Sequence, residues 1–134
     1  MRPPPFSSDE LERRVPVWTA LADLFRDTEF TDSDAAYVAR VLAASGYDMP
    51  TLERILRTEV APTFGWNMIS VAGEWAGWSE EVVRDAVLEH LARRRRLTGV
   101  PGRVVGRTAA RMVAPYWARV RRELEHPTFS PAPG

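Results

Sequence analysis

The sequence predicts an all-α fold, a compact bundle of five to six helices with short connections. Three observations carry this. Apolar residues recur at helical spacing in segment after segment. Side chains that cap helices stand before those segments, and Gly or Pro stands after most of them. No segment shows convincing period-2 alternation, and no internal repeat is present.

The elements follow in order. Ser7 and Glu10 have capping-box spacing, so Leu11–Val15 reads as a short helical turn. Pro16 interrupts it and suits the first position of a helix, where its missing N–H costs nothing. The main first helix is therefore expected to start at Pro16, with Val17, Trp18, Leu21, Leu24 and Phe25 on one face. Thr28–Ser33 is a polar turn in which Asp32 or Ser33 caps the next helix. That helix carries Tyr37, Val38, Val41 and Leu42 and ends at Gly46, a left-handed C-terminal residue. Asp48-Met49-Pro50 starts a third helix, with Leu52, Ile55, Leu56 and Val60 in register, and Pro62 is expected to stop it.

Residues 62–78 are the least regular stretch, holding Phe64, Trp66, Trp75, Trp78 and three glycines, with a short helix expected around Asn67–Ala72. Ser79-Glu80-Glu81 opens another helix, its acids facing the positive end of the dipole. Val82, Val83, Ala86, Val87 and Leu91 form its apolar stripe, and Glu80–Arg84 and Glu89–Arg93 are i, i+4 pairs. Leu97–Gly106 is a connector. A final helix runs from about Thr108 to Glu125 on Ala109, Val113, Tyr116, Trp117, Val120 and Leu124, and Pro115 should kink or divide it. The expected organisation is one domain over 1–134: an acidic helical body (8–96), a basic C-terminal helix (97–126) and a Pro-rich tail (127–134).

Composition bounds the function. The 134 residues are 45% hydrophobic and 27% charged, ordinary for a globular chain. No cysteine is present, which excludes disulfides, thiol nucleophiles and thiolate metal sites. The N-terminal residues have no apolar signal segment and no stretch approaches membrane-spanning length, so a cytoplasmic protein is expected. The zero net charge conceals a split: residues 1–92 carry 16 acids and 8 arginines, residues 93–134 carry 10 arginines and 2 acids. Such a separation bears on partners, not on fold.

Motifs for chemistry fail one by one. His90 and His126 belong to no metal-binding pattern. Asp27, Glu29, Asp32 and Asp34 alternate as in a calcium loop, but the required Gly and Glu positions are occupied by Asp32 and Val38. There is no nucleophile elbow, and Gly99, Gly102 and Gly106 do not make a phosphate loop. Glu74, between two glycines and beside Trp75, is the one carboxylate whose pKa aromatic neighbours could raise; a structural cap or an arginine partner is its plainer role. No enzyme, cofactor or metal is expected.

Arg13–Leu21, Val38–Ser45 and Ser70-Val71-Ala72-Gly73-Glu74-Trp75-Ala76-Gly77 together resemble a bacterial family of short helical proteins known as a domain of unknown function. The resemblance spans about residues 10–95, with the basic extension after Arg96 outside it. It implies a bacterial, cytosolic helical protein and supplies no activity or site residue.

The expected function is a protein-binding module, in its sharpest version a cognate immunity protein that neutralises a bacterial toxin. The expected contact residues are Asp27, Glu29, Asp32 and Asp34 on the acidic turn, then Trp66, Glu74 and Trp78 in the aromatic corner. The alternative is a nucleic-acid-binding accessory protein using Arg93, Arg94, Arg95 and Arg96, where a run of guanidinium groups suits phosphates.

Overall fold

The computed structural model describes residues 6–25, 29–64, 79–96 and 107–125. The fold is all-α. Among the described residues there are six helices and no strand: α1 (Ser8–Ala22), α2 (Asp32–Ser45), α3 (Met49–Ile55), α4 (Glu80–Arg96), α5 (residues 107–112) and α6 (Ala114–Glu125). A 3-10 turn, Asp23–Phe25, follows α1, and a π-helical turn, Leu56–Val60, follows α3. No helix among the described residues is long and apolar enough to cross a membrane.

Helix α1 is the centre of the bundle. It packs on α2, on α4 and on the π turn, while α6 packs on α2. Val17, Trp18, Ala20, Leu21 and Ala22 are all buried, so the second half of α1 has almost no solvent face. They join one continuous core with Val38, Leu42, Ile55, Val60, Val83, Val87, Val113 and Val120, contributed by every other helix except α5, which adds Ala109. Burying a side chain of Leu or Val size contributes about 1.5–3 kcal/mol each.

The helix ends follow local chemistry. Ser7 caps α1, its Oγ accepting from Glu10 N–H at 3.2 Å. Asp48 caps α3, accepting from Thr51 N–H at 2.9 Å with Pro50 in the first turn; the Thr51 bonds hold its carboxyl below the usual range. Ser79 caps α4 through Val82 N–H. Gly46 ends α2 at φ +79°, the left-handed conformation expected of it.

Several expectations need correction. Helix α1 does not begin at Pro16 but runs through it from Ser8. Pro16 is exposed, and so is Glu12, whose carbonyl loses its partner to the proline ring; on that side water can serve instead. The cap of α2 is Thr31, not Asp32 or Ser33, and it forms a reciprocal box with Asp34. The helical course after α3 passes Pro62 and continues to residue 64. The wide π turn makes this possible: Ala61 N–H reaches back to Leu56 O, relaxing the stretch in which a proline ring would meet a carbonyl one turn earlier. In α4, Val82 is 42% exposed and falls off the apolar stripe, and Arg84 bonds Asp85 at 3.2 Å. The final helix is divided, as Pro115 implies, with the break at Val113. The expected helix at 67–72, the connector 97–106 and the tail 127–134 lie outside the described residues.

Gly46→Ala should lower unfolding free energy by about 1–2 kcal/mol, because a Cβ in the left-handed region clashes with its own backbone. Urea denaturation should show a lower midpoint with an unchanged slope. An unchanged midpoint would refute this account of the α2 terminus.

Candidate functional site

Two polar constellations stand out, one interior and one at the surface.

The interior one is centred on Glu59, the only charged or polar residue in the buried class among the described residues. The π turn carries it inward against α1. Arg14 Nη1 donates to both carboxylate oxygens, at 2.8 and 2.7 Å, and Trp18 Nε1 donates to Oε1 at 2.8 Å. Arg14 Nε donates to Glu10 Oε1 at 2.7 Å, and the Tyr47 hydroxyl donates to the same oxygen at 2.7 Å. Phe6 closes the cluster, its ring 4.6 Å from the Arg14 guanidinium carbon and 5.7 Å from the Trp18 ring. Arg13 lies over the Tyr47 ring at 4.0 Å and donates to Ser45 O at 2.8 Å.

The electrostatics follow from these contacts. The bonds from Tyr47 and Arg14 hold the Glu10 carboxyl below the ordinary glutamate value. Burial opposes the charge on Arg14, but the bond to Glu10 and the charge of Glu59 outweigh it, so its pKa is raised. Burial and the bond to Glu10 push the Tyr47 phenol up to about 12. Every carboxylate oxygen facing this cluster accepts from a fixed donor, except Glu10 Oε2, so the arrangement serves cohesion and leaves no poised acid or base.

Sequence reading missed this cluster. Arg14 and Trp18 had the i, i+4 spacing of one helical face, but the position that joins them, Glu59, is 41 residues beyond Trp18.

The surface constellation lies at the start of α2. Asp34 is committed to its helix: its carboxylate accepts from Thr31 N–H at 2.8 Å and from the Thr31 hydroxyl at 2.9 Å. Asp32 is paired with Arg119 of α6. Arg119 also donates to Phe30 O at 2.5 Å and lies over the Phe30 ring, which packs on Tyr116 at 5.3 Å. Glu29 is exposed. One turn along α2, Tyr37 is 54% exposed, the largest exposure among the big hydrophobic side chains described.

The structure thus brings Glu29, Asp32 and Asp34 to one end of α2. Asp27, Trp66, Glu74 and Trp78 lie outside the described residues. Arg93, Arg94, Arg95 and Arg96 form the last turn of α4, and their side chains lie outside the described ones. Two arginines of the basic C-terminal part are turned to the acidic body: Arg119 to Asp32, and Arg121 to Glu53 at 3.7 Å.

A family model described as a domain of unknown function, DUF7079, matches residues 12–123. The chain belongs to this family. The match takes in α5 and nearly all of α6, so the family's domain includes the basic helices that the resemblance over residues 10–95 left outside. No curated protein and no solved structure matches the chain.

Two outcomes are expected for the interior cluster. Arg14→Ala should cost about 3–5 kcal/mol in urea unfolding, because it leaves a buried carboxylate unpaired, and Arg14→Met combined with Glu59→Leu should recover most of that loss. A cost below about 1 kcal/mol would show the pair to be dispensable. The second outcome concerns pH. A phenol whose pKa is raised by folding contributes stability that is complete below its unfolded value of 10 and lost as pH rises towards about 12. Tyr47→Phe should flatten that part of the stability profile in an alkaline titration followed by circular dichroism.

Proposed function

We propose that this chain is a protein-binding module whose contact surface is the outer face of α2 and the acidic turn before it. In its sharpest form it is a cytoplasmic immunity protein that neutralises a bacterial toxin by direct binding. The observation that carries the reading is Tyr37. A tyrosine held 54% exposed on a rigid helix offers a large, amphipathic contact at low entropic cost.

Its surroundings suit an interface. Ser33 lies one turn before it, and Arg40 and Ala44 one and two turns after it; all three are exposed. Ser33 and Ala44 are small, so a partner can approach the helix closely on both sides of the ring. At the N-terminal end stand Glu29 and Asp32, the latter with a side chain 96% exposed. Asp34 contributes by fixing the helix start and not by offering a free charge. The partner that fits is a protein surface with a recess for an aromatic ring and basic groups at its edge.

Co-purification should retain a toxin domain encoded beside this chain, and its expression should protect cells from that toxin. Tyr37→Ala should weaken the complex by about 30-fold, as loss of a hot-spot residue does, while leaving the melting temperature unchanged. Absence of both retention and protection would overturn the immunity reading. A complex insensitive to Tyr37→Ala would overturn the assignment of this face.

A further inference from the structure

A second surface is independent of the Tyr37 face. Along α5 and α6, Arg107, Arg111, Ala114, Pro115, Ala118 and Arg122 are all exposed, while Ala109, Val113 and Val120 are buried. Arg107 and Arg111, four residues apart, share one side of α5. Backbone bonds from Val113 N–H to Ala109 O and from Trp117 N–H to Val113 O carry the chain across the break, and Arg122 lies on the exposed side of α6.

The three arginines are alike in another respect: none has a carboxylate partner among the described residues. The other two arginines of these helices are occupied. Arg119 is bound to Asp32 and Phe30, and Arg121 to Glu53 and Glu125. Glu125, three residues beyond Arg122, is paired with Arg121 at 2.9 Å. Between these guanidinium groups the exposed side includes the small Ala114 and Ala118 and the ring of Pro115, with Thr108 and Met112 also exposed.

We infer that this line of Arg107, Arg111 and Arg122 is a binding site for the phosphate backbone of a nucleic acid, read without regard to sequence. A guanidinium presents its N–H groups in a fork that matches phosphate oxygens, and a row of them matches a row of phosphates. The line holds no aromatic anchor of the kind a protein partner would use for tight binding, and the large apolar side chain beside it, Met112, is 44% exposed. It also carries no Asn or Gln to read base edges. The residues differ from the Arg93–Arg96 run, and the site goes beyond the protein-binding role proposed above.

The test uses the full chain and a fluorescently labelled DNA duplex of about 20 base pairs of arbitrary sequence. Three phosphate contacts give a slope of about −2.7 in a plot of log affinity against log salt, a loss of about 40-fold between 50 and 200 mM salt. Changing Arg107, Arg111 and Arg122 together to Ala should reduce the slope by about 2.7 and abolish most low-salt binding. Changing the same three to Lys should retain it, which separates loss of charge from loss of fold. No binding at 50 mM salt, an unchanged slope in the Ala variant, or capture of poly-glutamate in place of the duplex would overturn the assignment. Loss of the Tyr37-dependent complex would leave this result untouched, so the two proposals fail separately.

Discussion

The buried pair between Arg14 and Glu59 is the constraint on which the rest of the bundle depends. A carboxylate taken from water and left unpaired costs several kcal/mol, so the chain must deliver donors to it with good geometry. Both donors come from α1, from Arg14 and from Trp18, and they meet at one oxygen at 2.8 Å each. These residues are one helical turn apart and lie on either side of Pro16. A break at Pro16 would separate them. The continuous helix is therefore the conformation in which Glu59 is satisfied, and its gain exceeds the single backbone bond that the proline removes.

The same constraint shapes the other side of the contact. Glu59 faces inward because Leu56–Val60 is a π turn, one residue wider than the helix it continues. The extra width leaves room for Pro62 downstream, and Thr63 Oγ1 donates to Glu59 O at 2.7 Å to hold the turn. Glu10 and Tyr47 then extend the network to the junction between α2 and α3, where Arg13 bonds the last carbonyl of α2. One buried charge thus sets the relation of α1 to three other parts of the fold.

This explains which features were legible in the sequence. The caps at Ser7, Asp48 and Ser79 and the stop at Gly46 act within four residues, and reading the chain locally found them. The apolar faces of α1 and α6 were also legible, because burial imposes the helical period directly. On α2 Val38 and Leu42 are buried as expected, but Tyr37, expected on the same apolar side, is 54% exposed, and Ala35 and Ala39 take the buried positions instead. Pro16 and Pro62 misled for different reasons. At Pro16 the local penalty is outweighed by the contacts of Arg14 and Trp18 with Glu59 far along the chain, and before Pro62 the wider π turn lessens the penalty itself. The partners of Glu59 lie 41 and 45 residues away and that of Asp32 lies 87 away. Periodicity reports which face is buried, but it does not report which charge meets which. For that reason the acidic turn read as a row of equivalent carboxylates, whereas the fold assigns one to a cap and one to Arg119.

The charge split of the chain acquires a physical meaning from these assignments. Exposed ion pairs contribute about 0–1 kcal/mol each, so the pairs of Arg119 and Arg121 do not hold α6 in place. Val120 is fully buried and Tyr116, Trp117 and Leu124 pack against the core, and their apolar area supplies the larger share of the docking energy. The two surface pairs join α6 to two different parts of the body, Arg119 to Asp32 at the start of α2 and Arg121 to Glu53 on α3. A helix held by its apolar face keeps its position even when one surface pair is exchanged. A basic partner can therefore take Asp32 from Arg119 at a cost of no more than about 1 kcal/mol, with the bundle intact. The acidic end of α2 is accordingly a surface where the chain's own arginine occupies the place that a partner's cation would fill, and the core beneath it does not depend on which of the two is present.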